Sequence, residues 1–306
     1  MSKIAVVGCG FVGSTIAYTL LVKRLASEIA IVDFYKEKAE GNAMDMEQGL
    51  QFTPGTKITF SDSYDLCMGA DVVVITAGAA QKPGETRLDL VNRNAEILKV
   101  MIQKIAHCNP NCILIVVTNP VDIITYLTLE YSGFPRERVF GTGTTLDTAR
   151  LRYFLAEHFN VSPQSVHSYI LGEHGDSEFP VWSSTMIAGL NIKDTWAYDQ
   201  VKLNEIFSKT KNAAYEIISK KGATYFAIAL AVAEIVQSIM RDEKRIFPVS
   251  TYLENYYDEG NLCLSVPCAI GRQGIIRRIQ PPLNGEEQAA LHSSAKVLKE
   301  ILSKVK

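Results

Sequence analysis

Six short runs of aliphatic and β-branched residues punctuate the first 140 residues of the chain, and most gaps between them are long enough for a helix. The runs fall at residues 4–7, 29–32, 58–60, 72–76, 113–117 and 139–140, and helical patterns occupy 12–23, 36–50, 86–108 and 121–131. A strand with one wet face would alternate apolar and polar residues. These runs do not: Val72-Val73-Val74-Ile75 is apolar throughout, as in a sheet covered on both sides. Strand, helix, strand, repeated, predicts an α/β fold with a doubly wound parallel sheet.

The second half has a different texture. A helix is expected over 145–159, with strand-like pieces at 166–171, 246–253, 262–269 and 275–279 and long helices between and after them. Near the C-terminus, Leu291, Ala295, Leu298, Leu302 and Val305 recur every three or four positions, which gives one apolar helical face. This pattern predicts a mixed α+β domain over 144–306, following a first domain over 1–143.

At 306 residues the chain is long for one hydrophobic core, which suits two packed parts. A net charge of −2, with no clustered basic excess, argues against a nucleic-acid partner. The longest apolar run, 223–233, is too short to span a bilayer, so no membrane partner is expected. Met1-Ser2-Lys3-Ile4 leads straight into the first strand run without a signal-peptide pattern, and the expected location is cytoplasmic. Cys9, Cys67, Cys108, Cys112, Cys263 and Cys268 form no C-x-x-C pair and no zinc-like spacing with histidine, so they read as ordinary thiols and no metal is expected.

Gly8-Cys9-Gly10-Phe11-Val12-Gly13 stands between the first strand and the first helix. Gly8 suits the tight turn, Gly10 lets a pyrophosphate approach the backbone, and Gly13 lets helix and strand pack closely. The free N–H groups opening the helix then face the anion. Twenty residues beyond Gly13, Asp33 ends the second strand. A carboxylate there accepts the adenosine ribose hydroxyls and repels a 2′-phosphate, so the Rossmann-type half is expected to bind NAD rather than NADP.

Four further stretches carry a resemblance. Gly78-Ala79-Ala80-Gln81-Lys82-Pro83-Gly84-Glu85-Thr86-Arg87, Thr118-Asn119-Pro120-Val121-Asp122, Leu146-Asp147-Thr148-Ala149-Arg150 and Gly172-Glu173-His174-Gly175-Asp176 occur in this order. Together they resemble the signatures of the lactate/malate dehydrogenase family, over essentially the whole chain. On residue type alone His174 would pass for a structural histidine. The resemblance makes it the proton donor and acceptor, a task for which imidazole has a suitable pKa. It also makes Asp147 the partner that orients His174, although an acid at a helix start could equally serve the helix dipole. Arg150, one turn after Asp147, would grip a substrate carboxylate. Arg87, in a polar loop, would polarise the substrate carbonyl on loop closure, with Asn119 near the reacting oxygen. Thr76, Ala77, Gly78, Thr118 and Asn119 join Gly8, Gly10, Phe11, Val12, Gly13 and Asp33 as cofactor contacts.

Two positions bear on the substrate. Gln81 is neutral where the malate-type pattern resembles an arginine, so a second substrate carboxylate would be buried unpaired. Thr224 matches a position lining the side-chain pocket. The resemblance therefore implies reversible reduction of pyruvate to L-lactate, with malate or another 2-hydroxy acid as the alternative. Arg152 lies two residues past Arg150, about 200° around a helix. His167 precedes His174 by an odd number of residues, placing the two on opposite faces of a segment that stays extended. Arg152 and His167 match positions that bind fructose 1,6-bisphosphate in allosteric bacterial members, and the resemblance further implies a homotetramer.

Overall fold

A computed structural model of the chain describes residues 2–78 and 87–305, with the backbone alone for 87–90. In the first half, strands β1 (Lys3–Val7), β2 (Glu28–Val32), β3 (Lys57–Ser61), β4 (Val72–Ile75), β5 (Ile113–Val116) and β6 (Val139–Gly141) are parallel and stand in the order 3-2-1-4-5-6. The helices between them are α1 (Phe11–Val22), α2 (Lys36–Gln48), α3 (Arg87–Cys108) and α4 (Val121–Ser132). Every residue of β4 and β5 is buried, as their uninterrupted apolar sequence requires of a sheet with helices on both faces. The order reverses between β1 and β4, and in such sheets the crevice beyond the strand ends at that reversal is where ligands bind.

The second half opens with α5 (Thr145–Phe159). The stretch expected as one strand over 166–171 is broken into β7 (Val166–His167) and β8 (Ile170–Leu171), which belong to different small sheets. Helix α5 takes the backbone groups a continuous ladder would need: Thr148 Oγ1 accepts from the Ile170 N–H at 2.9 Å, and Arg152 Nε donates to the Ser168 carbonyl at 3.0 Å. Strand β8 pairs with β9 (Phe179–Pro180), and β7 with β10 (Met186–Ile187), which also pairs with β11 (Leu190–Asn191). Helices α6 (Gln200–Lys221) and α7 (Phe226–Met240) follow.

The remaining strands, β12 (Arg245–Leu253), β13 (Leu262–Gly271) and β14 (Gly274–Arg278), do not form a sheet of their own. Strand β12 joins β6 antiparallel at Ser250 and Gly141, so one nine-stranded sheet runs through both halves. Helix α8 (Gly285–Leu302) closes the described chain; Asn284 and Glu287 form a reciprocal cap at its start. One continuous core fills both faces of the large sheet. A second cluster, including Leu151, Leu155, Phe159, Ile187 and Leu203, packs α5 and α6 over the small sheets. No helix among the described residues is long and apolar enough to cross a membrane.

Candidate active site

The glycine turn sits at the reversal between β1 and β4, and two of its glycines are sterically required. Gly8 has φ +95°, and a Cβ there would lie 2.6 Å from the Ala77 nitrogen. A Cβ on Gly13 would lie 1.8 Å from the Gly8 carbonyl oxygen. Gly10 differs: an added Cβ would meet nothing within 4 Å. The protein itself does not need a glycine there, and the open space suits a group that must come close to the backbone. Thr76 Oγ1 donates to the Gly8 carbonyl at 2.8 Å, and Thr118 Oγ1 to the Ala77 carbonyl at 2.8 Å, tying the turn to the ends of β4 and β5.

Asp33 accepts N–H bonds from Cys9 at 2.7 Å and Tyr35 at 3.0 Å. Burial raises its carboxyl pKa, but these backbone donors outweigh that and hold it below the usual carboxylate range. It therefore stays ionised, with lone-pair capacity left for hydroxyl donors. The Gly8–Gly13 turn, the open Gly10 position and Asp33 fit the adenosine and pyrophosphate of NAD.

Across the crevice, His174 Nδ1 lies 2.6 Å from Asp147 Oδ2, and Arg150 Nη1 donates to Asp147 Oδ1 at 3.0 Å. The i, i+3 spacing on α5 puts the aspartate and arginine on one face, as the sequence suggested. Burial lowers the imidazole pKa, but the Asp147 charge and hydrogen bond prevail and lift it to about 9. Asp147 itself is lowered: burial opposes ionisation, and His174 and Arg150 overcome it. With Nδ1 committed to the carboxylate, Nε2 is left to exchange a proton with a bound molecule.

Two functional neighbours escaped sequence reasoning. Asp122 Oδ2 accepts the His174 backbone N–H at 2.8 Å, while Oδ1 accepts the Ser250 hydroxyl at 2.6 Å. It is buried, and desolvation pushes it up to about 6. Its only sequence signal was membership of the Asn119–Asp122 motif. Glu178 is also buried and contributes to a cluster with Asp147 and His174, whose ligating atoms all lie within 4.8 Å of one another. No periodicity or motif in the quoted stretches marked it.

Two adjoining cavities, of about 590 and 400 Å³, share Asn119, Arg150, His174, Ala214 and Ile218. The first reaches the glycine-rich side through Val12, Thr76, Gly78 and Thr118, and includes Thr224. The second reaches Asp147, Glu178 and Lys211. The dinucleotide crevice is thus continuous with the histidine. Phe11 is exposed at the mouth of α1 and stacks on Tyr225 at 5.4 Å. Ala77 secures the turn, its N–H donating to the Val7 carbonyl at 2.9 Å. Gln81 and the side chain of Arg87 lie outside the described residues.

Arg152 and His167 lie away from these cavities, but not for the reason of alternation along a strand, because the segment to His174 is not continuously extended. Arg152 is tied to the Ser168 carbonyl and lies over the Tyr169 ring, 5.4 Å from its centroid. His167 is exposed on β7 beside Met186.

Comparisons with known proteins point to one family. The family model described as the lactate/malate dehydrogenase NAD-binding domain matches residues 2–141, and that of the alpha/beta C-terminal domain matches 144–306. An L-lactate dehydrogenase of Acetivibrio thermocellus is 50% identical, with 99% of this chain and 96% of that protein covered. L-lactate dehydrogenase 1 of Clostridium acetobutylicum is 49% identical, with 99% and 98% covered. The minor L-lactate dehydrogenase of Enterococcus mundtii, solved with ligands bound, is 40% identical, with a TM-score of 0.96 and 100% and 98% of the two chains covered.

Proposed function

This chain belongs to the lactate/malate dehydrogenase family, and from that premise we propose that it is an NAD-dependent L-lactate dehydrogenase that reversibly reduces pyruvate. The observation that carries the proposal is the single crevice joining the Gly8–Gly13 turn to the Asp147–His174–Arg150 group. Gly8, Gly10, Phe11, Val12, Gly13 and Asp33 hold the adenosine and pyrophosphate side of the cofactor, with Thr76, Ala77, Gly78, Thr118 and Asn119 at the strand ends beside it. NADH, when bound, supplies the hydride. Residues 1–143 serve as the cofactor half and 144–306 as the substrate half.

In the proposed reaction Arg150 grips the pyruvate carboxylate, and a guanidinium does so with two parallel bonds. Its second partner, Asp147, keeps it oriented without neutralising the whole guanidinium edge. Protonated His174 donates from Nε2 to the carbonyl oxygen as that oxygen becomes the lactate hydroxyl, and takes the proton back in the reverse direction. Asp147 stabilises the imidazolium, while Asp122, through the His174 N–H, fixes the backbone from which the ring projects. Asn119 and Arg87 act on the reacting oxygen, and Thr224 bounds the space for the pyruvate methyl group.

Neutral Gln81 favours pyruvate over a dicarboxylate, because oxaloacetate would bring a second charge with no cation to meet it. The test is steady-state NADH oxidation with each acid. Wild type should prefer pyruvate, and Gln81→Arg should move the kcat/KM ratio toward oxaloacetate by at least tenfold, about 1.4 kcal/mol. An unchanged ratio removes the role of Gln81, and a wild type that prefers oxaloacetate or a bulkier 2-keto acid makes malate or another 2-hydroxy acid the substrate class.

We assign Arg152 and His167 to a fructose 1,6-bisphosphate site in a cytoplasmic homotetramer. Arg152 supports this because burial depresses its pKa and no carboxylate pairs with it among the described residues, an environment an anion would relieve. Exposed Tyr18, Val22 and Phe52 on and near α1 and α2 supply apolar surface for subunit contacts. A pyruvate KM indifferent to the sugar bisphosphate, or a monomer by light scattering, would remove the respective claim.

A further inference from the structure

We propose that Glu178 is a positioning residue that must be protonated, together with His174, for pyruvate to be captured, so that the alkaline limb of pyruvate reduction involves two protons rather than one. This rests on the lactate dehydrogenase reading above. Glu178 directly precedes β9, is 7% exposed, and receives no side-chain hydrogen bond among the described residues. The charged groups facing it are Asp147 and Arg150 from α5, His174 from the preceding turn and Lys211 from α6, with Asp122 of α4 behind His174. Its carboxyl oxygen lies within 4.8 Å of an Asp147 oxygen and a His174 ring nitrogen.

A carboxylate at this point would be a second anion beside Asp147, in a position that is largely shielded from water. Burial first, and the Asp147 charge second, push its pKa up to about 9, so near neutrality it is an uncharged acid. That neutrality matters to Arg150, which lines the same cavity. An ionised Glu178 would draw on the guanidinium's charge and repel the incoming carboxylate. His174 must also carry its proton to deliver it. Their opposite charges draw the two titrations apart, Glu178 first and His174 after it, and the alkaline loss steepens from one proton to two across the pair.

The experiment is kcat/KM for pyruvate against pH on the alkaline side, for the full enzyme with NADH. In wild type the logarithmic slope should approach two, a fall of about 100-fold per pH unit beyond both titrations. In Glu178→Gln it should become one, about tenfold per pH unit, and Glu178→Asp should restore two. Glu178→Ser serves as a smaller neutral replacement if the amide is not accommodated, and NADH fluorescence titration verifies folding. A slope of one in wild type, or of two in a folded neutral variant, overturns the inference. A wild type that binds NADH but never turns over pyruvate removes the lactate dehydrogenase reading instead. A structural role for Glu178 would lower activity at every pH without changing the number of protons.

Discussion

Replacing Asp147 by asparagine separates the charge of this residue from its shape. In the native protein, burial alone would take His174 below its ordinary 6.5, yet the Asp147 carboxylate at 2.6 Å brings it to about 9. The difference between 9 and 6.5 corresponds to roughly 3 kcal/mol in favour of the imidazolium, and the opposing burial makes this a lower bound on the carboxylate's effect. At about pH 8 a histidine of pKa 9 is roughly nine-tenths protonated, and one of ordinary pKa about 3% protonated, so kcat/KM for pyruvate falls about 30-fold from protonation alone. At about pH 6 a histidine of ordinary pKa is about three-quarters protonated, so on that pKa this part of the deficit shrinks to less than about twofold, and a lower pKa from burial only widens the contrast between the two pH values. Arg150 also loses its ionic partner, but that loss is the same at both pH values. The deficit of Asp147→Asn should therefore be about 20-fold larger at pH 8 than at pH 6, measured by NADH oxidation at low pyruvate. A deficit that does not change with pH would refute the charge argument and leave Asp147 with only an orienting role.

Other substitutions test neighbouring parts of the site. Gly13→Ala forces a Cβ into the Gly8 carbonyl and should cost at least 1–3 kcal/mol, seen as a lower Tm. Gly10→Ala meets no protein atom, so its Tm should match wild type while NADH affinity falls in a fluorescence titration. Arg150→Gln removes a charge-assisted grip of about 2–3 kcal/mol, so the pyruvate KM should rise about 30- to 150-fold with NADH affinity much less affected. Glu178 has a folded pKa raised from 4.5 to about 9, so stability present below the unfolded value is lost as pH climbs toward 9. Glu178→Gln should accordingly raise Tm at pH 8 and give little gain near pH 4, by calorimetry.

Much of the first half was legible in the order of residues. The six apolar runs became β1 to β6 within one or two residues at each end, and the expected helix over 145–159 is α5. This is local physics: a run of residues like Val72–Ile75 is apolar on both sides and must be covered on both sides, whatever lies elsewhere in the chain. The glycine turn and the one-turn spacing of Asp147 and Arg150 are likewise short-range features. His174 was identified only through motif resemblance, since nothing within seven residues on either side dictates that its ring should meet a carboxylate.

What the order of residues left open was which distant groups would meet. Asp122 and Ser250 are 128 positions apart, yet their hydrogen bond helps set the backbone of His174. The joining of β12 to β6, and the break between β7 and β8, depend on backbone donors and acceptors that another element can satisfy first. Glu178 acquires its neutral state from burial and from Asp147, both properties of the packed molecule. Periodicity and turn chemistry are written locally and can be read in advance. Desolvation and charge pairing exist only after folding has chosen the neighbours, and the chemistry of this crevice depends on them.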